Sequence, residues 1–254
     1  MRFEILGPLQ ATDGSAAIDL GGPKQQRVLA SLLAAPIPLS VDRLMDEVWA
    51  DQPPATASHI VRTYISNLRK VLGDRIVSDG RHYGLDTCGD TIDASDFTGA
   101  LNDARAAFPT APERTARLLH DAERLWRGRP FGDLATGTTV IANRAVELEE
   151  LRVQSSELLV AAKLALGLHE QVIPYLEVLT REHPLNEGLH QHLMLALYRS
   201  ARQAEALRAG WDLRNRLAEE FGIEPSAGIR RLEDRILLQD PTLESLPTHE
   251  RPAV

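Results

Sequence analysis

The chain carries a single cysteine, Cys88, in 254 residues. One thiol excludes an internal disulfide and a cysteine-rich zinc site. An inert position beside a domain junction accounts for Cys88, with a reactive thiol as the alternative. Also missing is any run of about 18 uninterrupted apolar residues, since the best candidate is broken by Pro36 and Pro38, and the N-terminus has no signal-peptide core. These absences predict a soluble, cytoplasmic protein with no membrane partner. No G-x-x-x-x-G-K loop, H-E-x-x-H or G-x-S-x-G occurs. The expectation is therefore a protein that is not an enzyme and needs no cofactor. His183, Glu187, His190 and His192 invite a metal reading, because Glu187 and His190 have the i,i+3 spacing of carboxylate-bridged sites. No second such pair exists, and His192 points about 200° from His190 on a helix, so no metal site is expected.

A fourth absence is local. The stretch Ala55–Leu72, ATASHIVRTYISNLRKVL, has no Asp or Glu although the chain is at −8 overall. At helical spacing Ile60, Val61, Tyr64, Ile65, Leu68, Val71 and Leu72 share one arc of roughly 140°, which predicts a buried stripe. The opposite arc gathers His59, Arg62, Thr63, Ser66, Arg69 and Lys70. Cations, hydroxyls and an imidazole are the groups that contact phosphates and base edges in a major groove. A solvated amphipathic helix is the bland alternative.

Context favours the groove. Upstream, GGPKQQRVLASLLAA starts a helix at Pro23 and spaces Val28, Leu29, Leu32 and Leu33 on one face. After Pro36 and Pro38, Ser40 caps a second helix, SVDRLMDEVW, with Val41, Leu44, Met45, Val48 and Trp49 on one side. Asp51-Gln-Pro-Pro turns the chain into the third helix, which stops at Gly73. Residues 76–85 then alternate about Gly80 as a β-hairpin does, in the position of a wing. Phe3–Leu6 and Ile18–Leu20 are expected to form a small leading sheet.

The second half reads as an all-α repeat. Leu158–Ile173 aligns with His192–Leu207 at an offset of 34 residues, matching Gly167 to Ala201. That is the tetratricopeptide period, in which stacked helical hairpins build a common core and leave a concave surface. Helices are also expected around Ala94–Phe108, Pro112–Trp126 and Ala142–Leu166. With 43% hydrophobic residues, the chain supports two cores of ordinary size, residues 1–90 and 93–240, and a flexible tail over 241–254.

Charge is unevenly divided. Residues 1–92 carry −2, leaving −6 for the rest, while His59–His82 holds five basic residues (Arg62, Arg69, Lys70, Arg75, Arg81) against Asp74 and Asp79. The positive field is thus local to the third helix and wing. So small a patch predicts weak, salt-sensitive DNA binding by a lone monomer and a need for two protomers or a second protein on the DNA.

Residues 1–90 resemble the OmpR/PhoB-type winged helix of the Streptomyces antibiotic regulatory protein (SARP) family, through RFEILGPLQ, GGPKQQRVLASLL, SVDRLMDEVW, HIVRTYISNLRKVLGD and Gly80–Leu85. From about Asp93 onward the chain resembles that family's bacterial transcriptional activation domain, through AERLWRGRPF, ELEELR, HPLNEGLHQHLMLALYRSARQAEAL and LAEEFGIEPS. The agreement runs in family order over about the whole chain. Two positions depart from the pattern: Ala201 stands where glycine is usual, and His82 where glycine often precedes the tyrosine.

The resemblance implies a mainly α protein, a winged helix-turn-helix followed by a tetratricopeptide-like domain. It also implies a sequence-specific transcriptional activator of a specialised-metabolite (antibiotic) gene cluster. Such a protein binds double-stranded DNA at tandem direct repeats, at least there as a homodimer, and recruits RNA polymerase holoenzyme. Carried onto this sequence, it makes His59, Arg62, Thr63, Ser66 and Arg69 candidates for the groove and Lys70 a candidate for backbone. Lys24 and Gln25, opening the first helix, are candidates for a phosphate, and Arg81 and His82 for the adjacent minor groove. Tyr64, Ile65 and Leu68 go to the core; Arg75 is open between a solvated charge and a DNA contact. Larger family members append an ATPase or phosphopeptide-binding module after these domains, and the chain is expected to end before either. A protein-interaction scaffold is the rival class, and the acid-free polar face argues against it. A repressor shares the fold and site.

Overall fold

The computed structural model describes residues 1–50, 52–137 and 139–244. They group into two units, Met1–Ala100 with Asp121–Val153, and Leu101–His120 with the chain from Gln154 onward.

The first unit starts with β1 (Arg2–Glu4), β2 (Gln10–Asp13) and β3 (Ala16–Ala17). Then come α1 (Pro23–Ala34), β4 (Leu39–Ser40), α2 (Val41–Trp49), α3 (Ala57–Leu72), β5 (Ile76–Ser78), β6 (His82–Leu85) and β7 (Thr91–Ile92). One sheet has the order β3-β2-β1-β7, with β1 antiparallel to β2 and parallel to β7. The second, β4-β6-β5, is the wing, to which the short β4 adds a third strand. The leading sheet is therefore present, but Ile18–Leu20 is not one of its strands. Asp13-Gly14 turns the chain early, with Gly14 at φ +59°, so pairing runs through Gln10–Asp13 and Ala16–Ala17, and Leu20 is buried beyond the sheet.

Local chemistry sets the helix ends. Pro23 lies in the first turn of α1, where a missing N–H costs nothing. The Ser40 hydroxyl accepts from the Arg43 amide at 3.1 Å at the start of α2. Gly73, at φ +65°, ends α3. The core face of α3 is narrower than its periodicity predicts: Ala57, Val61, Ile65, Leu68 and Leu72 are buried, Ile60 and Tyr64 half-buried, and Val71 is 37% exposed. Each fully buried aliphatic side chain there contributes on the order of 2 kcal/mol.

Three further helices, α4 (Asp93–Ala107), α5 (Pro112–Glu123) and α6 (Val140–Ala165), each contribute residues to both units. Residues 90–93 themselves lie in the first unit. There the buried Asp93 carboxylate accepts from the amides of Ile5, Leu6 and Ala94 at 2.8–3.0 Å. Burial pushes this carboxyl above the ordinary aspartate range. Residues 127–131 run beside the chain after β1, the Arg127 amide donating to Leu6 at 2.7 Å and that of Phe131 to Ile5 at 2.8 Å.

The second unit is completed by α7 (His169–Glu182), α8 (Glu187–Arg199), α9 (Gln203–Phe221) and α10 (Ala227–Leu237). The repeat period is visible in the backbone. After α6 the amides of Gly167 and Leu168 donate to Leu164 and Lys163; after α8 those of Ala201 and Arg202 donate to Tyr198 and Leu197. The two turns are the same turn 34 residues apart. Where α9 meets α8 and α10, a Cβ on Gly210 would lie 2.6 Å from Glu233 Oε1 and 3.0 Å from Met194 Cε, so a side chain there would have to displace the ends of those two side chains. Pro241–Leu243, expected in a flexible tail, instead form a 3-10 turn with Leu243 buried and its carbonyl accepting from Arg199 at 2.6 Å. Asp240 caps that turn through the Thr242 amide. The rest of the expected tail, 245–254, lies outside the described residues. Among the described residues no helix is long and apolar enough to cross a membrane.

Candidate nucleic-acid interface

The buried stripe of α3 turns its other side to solvent. His59, Arg62, Thr63, Ser66, Arg69 and Lys70 are all exposed, and no acid lies in α3. Their side chains are not equally committed. Thr63 Oγ1 donates to the His59 carbonyl at 3.0 Å, and Lys70 Nζ donates to Asn67 Oδ1 at 3.1 Å. Among the described residues, no hydrogen bond or ion pair engages the side chains of His59, Arg62 or Ser66. Arg69 turns toward the wing: Nε and Nη2 donate to the Ile76 carbonyl at 3.1 and 3.0 Å, and its guanidinium carbon lies over the Tyr83 ring, 5.7 Å from its centre.

At the start of α1 the two predicted residues diverge. Lys24 is exposed, with its ammonium 5.1 Å from the centre of the Trp49 ring. Gln25 is half-buried, donating to the Leu20 carbonyl at 3.0 Å and accepting from Asn67 at 3.3 Å. Asn67 thus ties α1 to α3 and orients Lys70, a role that its position between the two arcs of α3 did not reveal.

The wing tip is built by Asp79. Its carboxylate accepts from the amides of His82 and Arg81 at 2.7 and 2.8 Å and lies 3.0 Å from His82 Nδ1. The His82 and Arg81 amides, with the imidazole, hold its carboxyl well below the usual carboxylate range. Gly80, at φ +93°, makes the turn, and the Arg81 side chain projects exposed beside it. His82, where glycine is frequent, fits because its ring meets Asp79. Arg75 is neither a solvated charge nor directed outward: it grips Asp90 at 2.5 and 2.9 Å, and the N-terminal ammonium meets the same carboxylate at 2.7 Å.

The other singled-out residues sit elsewhere. Cys88 is exposed in the loop before β7. Glu187 accepts from the Ser226 amide at 2.9 and 3.1 Å, and His190 is buried with Nε2 3.1 Å from the Pro184 carbonyl.

A helix with an acid-free exposed face followed by a three-stranded wing defines a winged helix-turn-helix protein, here joined to tetratricopeptide-type hairpins. Comparison with known proteins places it further. Residues 17–82 match the family described as Transcriptional regulatory protein, C terminal, and residues 92–237 the Bacterial transcriptional activator domain. Regulatory protein DnrI of Streptomyces peucetius is 32% identical over 96% of this chain and 94% of its own length. For MoaR1 of Mycobacterium tuberculosis the figures are 37%, 95% and 80%. AfsR of Streptomyces griseus is 37% identical over 96% of this chain, which spans 25% of AfsR. The solved structure of Mycobacterium tuberculosis EmbR, in complex with a low affinity phosphopeptide, superposes with a TM-score of 0.87 at 33% identity, over 96% of this chain and 68% of that one. The chain belongs to the SARP family of transcriptional regulators.

Proposed function

We propose that this protein is a sequence-specific DNA-binding transcriptional activator, acting in the cytoplasm by binding and not by catalysis, and that it controls a specialised-metabolite gene cluster. The observation that carries this reading is the exposed face of α3, where His59, Arg62 and Ser66 are unengaged within the described protein and no carboxylate is present to repel a duplex. A helix of this kind docks in a major groove with its N-terminal residues at base edges. The wing supplies Arg81 for the neighbouring minor groove, and Lys24 at the start of α1 a cation for a phosphate.

The patch is small, so a monomer neutralises few phosphates and binds weakly at physiological salt. Two protomers on tandem direct repeats about one helical turn apart would lie on one face of the duplex and multiply the contacts. The second unit then pairs protomers and presents a surface to RNA polymerase. DnrI and AfsR, named as regulatory proteins, support the assignment at the level of the family.

The test is to incubate the purified protein with sheared genomic DNA at near-physiological salt and sequence what is retained. Enrichment of direct repeats spaced by one helical turn and abutting promoter −35 regions is expected. Recovery of no enriched sequence would remove unaided DNA reading, and either DNA binding together with RNA polymerase or the scaffold reading would replace it.

A further inference from the structure

The contact between Arg69 and the wing carries an inference that rests on the DNA-binding reading but concerns how the interface is held together. By charge and exposure Arg69 belongs with the groove-facing set. Its fork, however, is spent within the protein: two of its N–H groups converge on one acceptor, the carbonyl of Ile76. Ile76 is the first residue of β5, is buried, and pairs with Leu85 across the hairpin. The flat guanidinium also lies against Tyr83, which belongs to β6 and pairs with Ser78 of β5 and Leu39 of β4. One side chain on the last turn of α3 therefore touches both strands of the hairpin. The covalent path between them is the short turn at Gly73–Arg75, where Arg75 pairs with Asp90 and also donates to the Leu72 carbonyl.

We propose that Arg69 is a positioning residue, which fixes the wing against α3 so that the groove residues of the helix and Arg81 at the wing tip meet one duplex at a set spacing. A two-pronged, planar donor suits this role because it fixes direction as well as distance. Lysine at this position would keep the charge and lose the fork. A phosphate contact demands less, since a lysine point charge can also serve there.

The two roles separate in one set of measurements on the full chain, using Arg69→Ala, Arg69→Lys and the wild type. Hydrogen exchange is followed without DNA, and affinity for the enriched repeat is titrated over a range of salt. For a positioning residue, both variants speed exchange of the wing amides in β5 and β6 while α1 stays protected. Both then weaken binding by about tenfold, with the slope of log K against log salt unchanged. The proposal is overturned if Arg69→Lys binds like the wild type while Arg69→Ala lowers that slope by about 0.9, the signature of one lost phosphate contact. It is also overturned if wing exchange is unaltered in both variants. Should the wild type bind no DNA, the functional reading falls, and the exchange data still decide whether Arg69 holds the wing.

Discussion

Both carboxylate oxygens of Glu47 lie 3.1 Å from the backbone nitrogen of Val140, so a buried side chain of α2 caps the first turn of α6. Arg43, one turn earlier on α2, completes the pair at 2.9 Å. Burial raises the Glu47 carboxyl above its ordinary range, opposed by the Val140 amide and Arg43. The cap therefore works against a desolvation cost, and the helix-end N–H with its dipole offsets that cost.

Glu47→Ala is expected to destabilise the protein by about 1–2 kcal/mol, the range for losing a helix cap, and to free the Val140 amide while Thr139 still holds those of Ala142 and Asn143. Glu47→Gln keeps an acceptor and should lose less. Urea unfolding gives the energy, and hydrogen exchange at Val140, compared with Ala142 and Asn143, shows whether the loss is at the cap.

Ala201 and Gly167 make a reciprocal pair. Both occupy the left-handed region, at φ +59° and +77°, in turns with the same backbone hydrogen bonds. A side chain in that conformation costs roughly 1–2 kcal/mol, partly offset by the greater unfolded-state entropy of glycine. Ala201→Gly should accordingly raise stability by up to about 1 kcal/mol, and Gly167→Ala should lower it by a similar amount. Opposite shifts of the thermal midpoint are the expected result.

The 34-residue offset exposed this equivalence in the sequence because a repeat forces the same turn chemistry on both copies. The third helix and wing were legible for a related reason: periodicity and an Asp-Gly turn are local. Glu47 was not legible. It sits on the same face of α2 as Leu44, where a carboxylate reads as a solvated charge, and its partner Val140 is 93 residues away. Arg69 and Arg75 were misleading or open for the same reason: a sequence gives a cation's side of the helix but not whether a carbonyl or carboxylate from elsewhere has claimed it. That residues 121–153 group with the winged helix was not legible either, since their ties are to partners far off in sequence, the backbone of Ile5 and Leu6 and the side chain of Glu47.

The Asp90 carboxyl is lowered to about 2, first by Arg75 and then by the N-terminal ammonium. A folded-state value below the ordinary one near about 3.9 means that the folded protein holds this proton less readily than the unfolded chain. The resulting stability is fully present above about pH 4 and is lost as pH falls toward about 2. Asp90→Asn should lower the thermal midpoint at pH 6, and the gap from wild type should shrink as pH falls through that window. A gap independent of pH would show that the charge is not what Asp90 supplies.

Arg62 and Arg81 should fail differently when removed. Arg62 stands in the second turn of α3 with its side chain unengaged among the described residues, the place from which recognition helices reach base edges, whereas Arg81 projects from the wing tip. Arg62→Ala is expected to cost about 1–3 kcal/mol at the enriched repeat and to flatten discrimination against substitutions at one base position. Arg81→Ala should instead leave discrimination at the bases read by α3 intact, lose any A·T preference beside the wing and lower the salt slope. The comparison needs one library of single-base variants titrated at several salt concentrations with three proteins. An Arg62 variant that loses affinity uniformly, with a reduced salt slope and intact discrimination, would move Arg62 to the phosphate backbone and leave His59 and Ser66 as the unengaged side chains on the same face to read sequence.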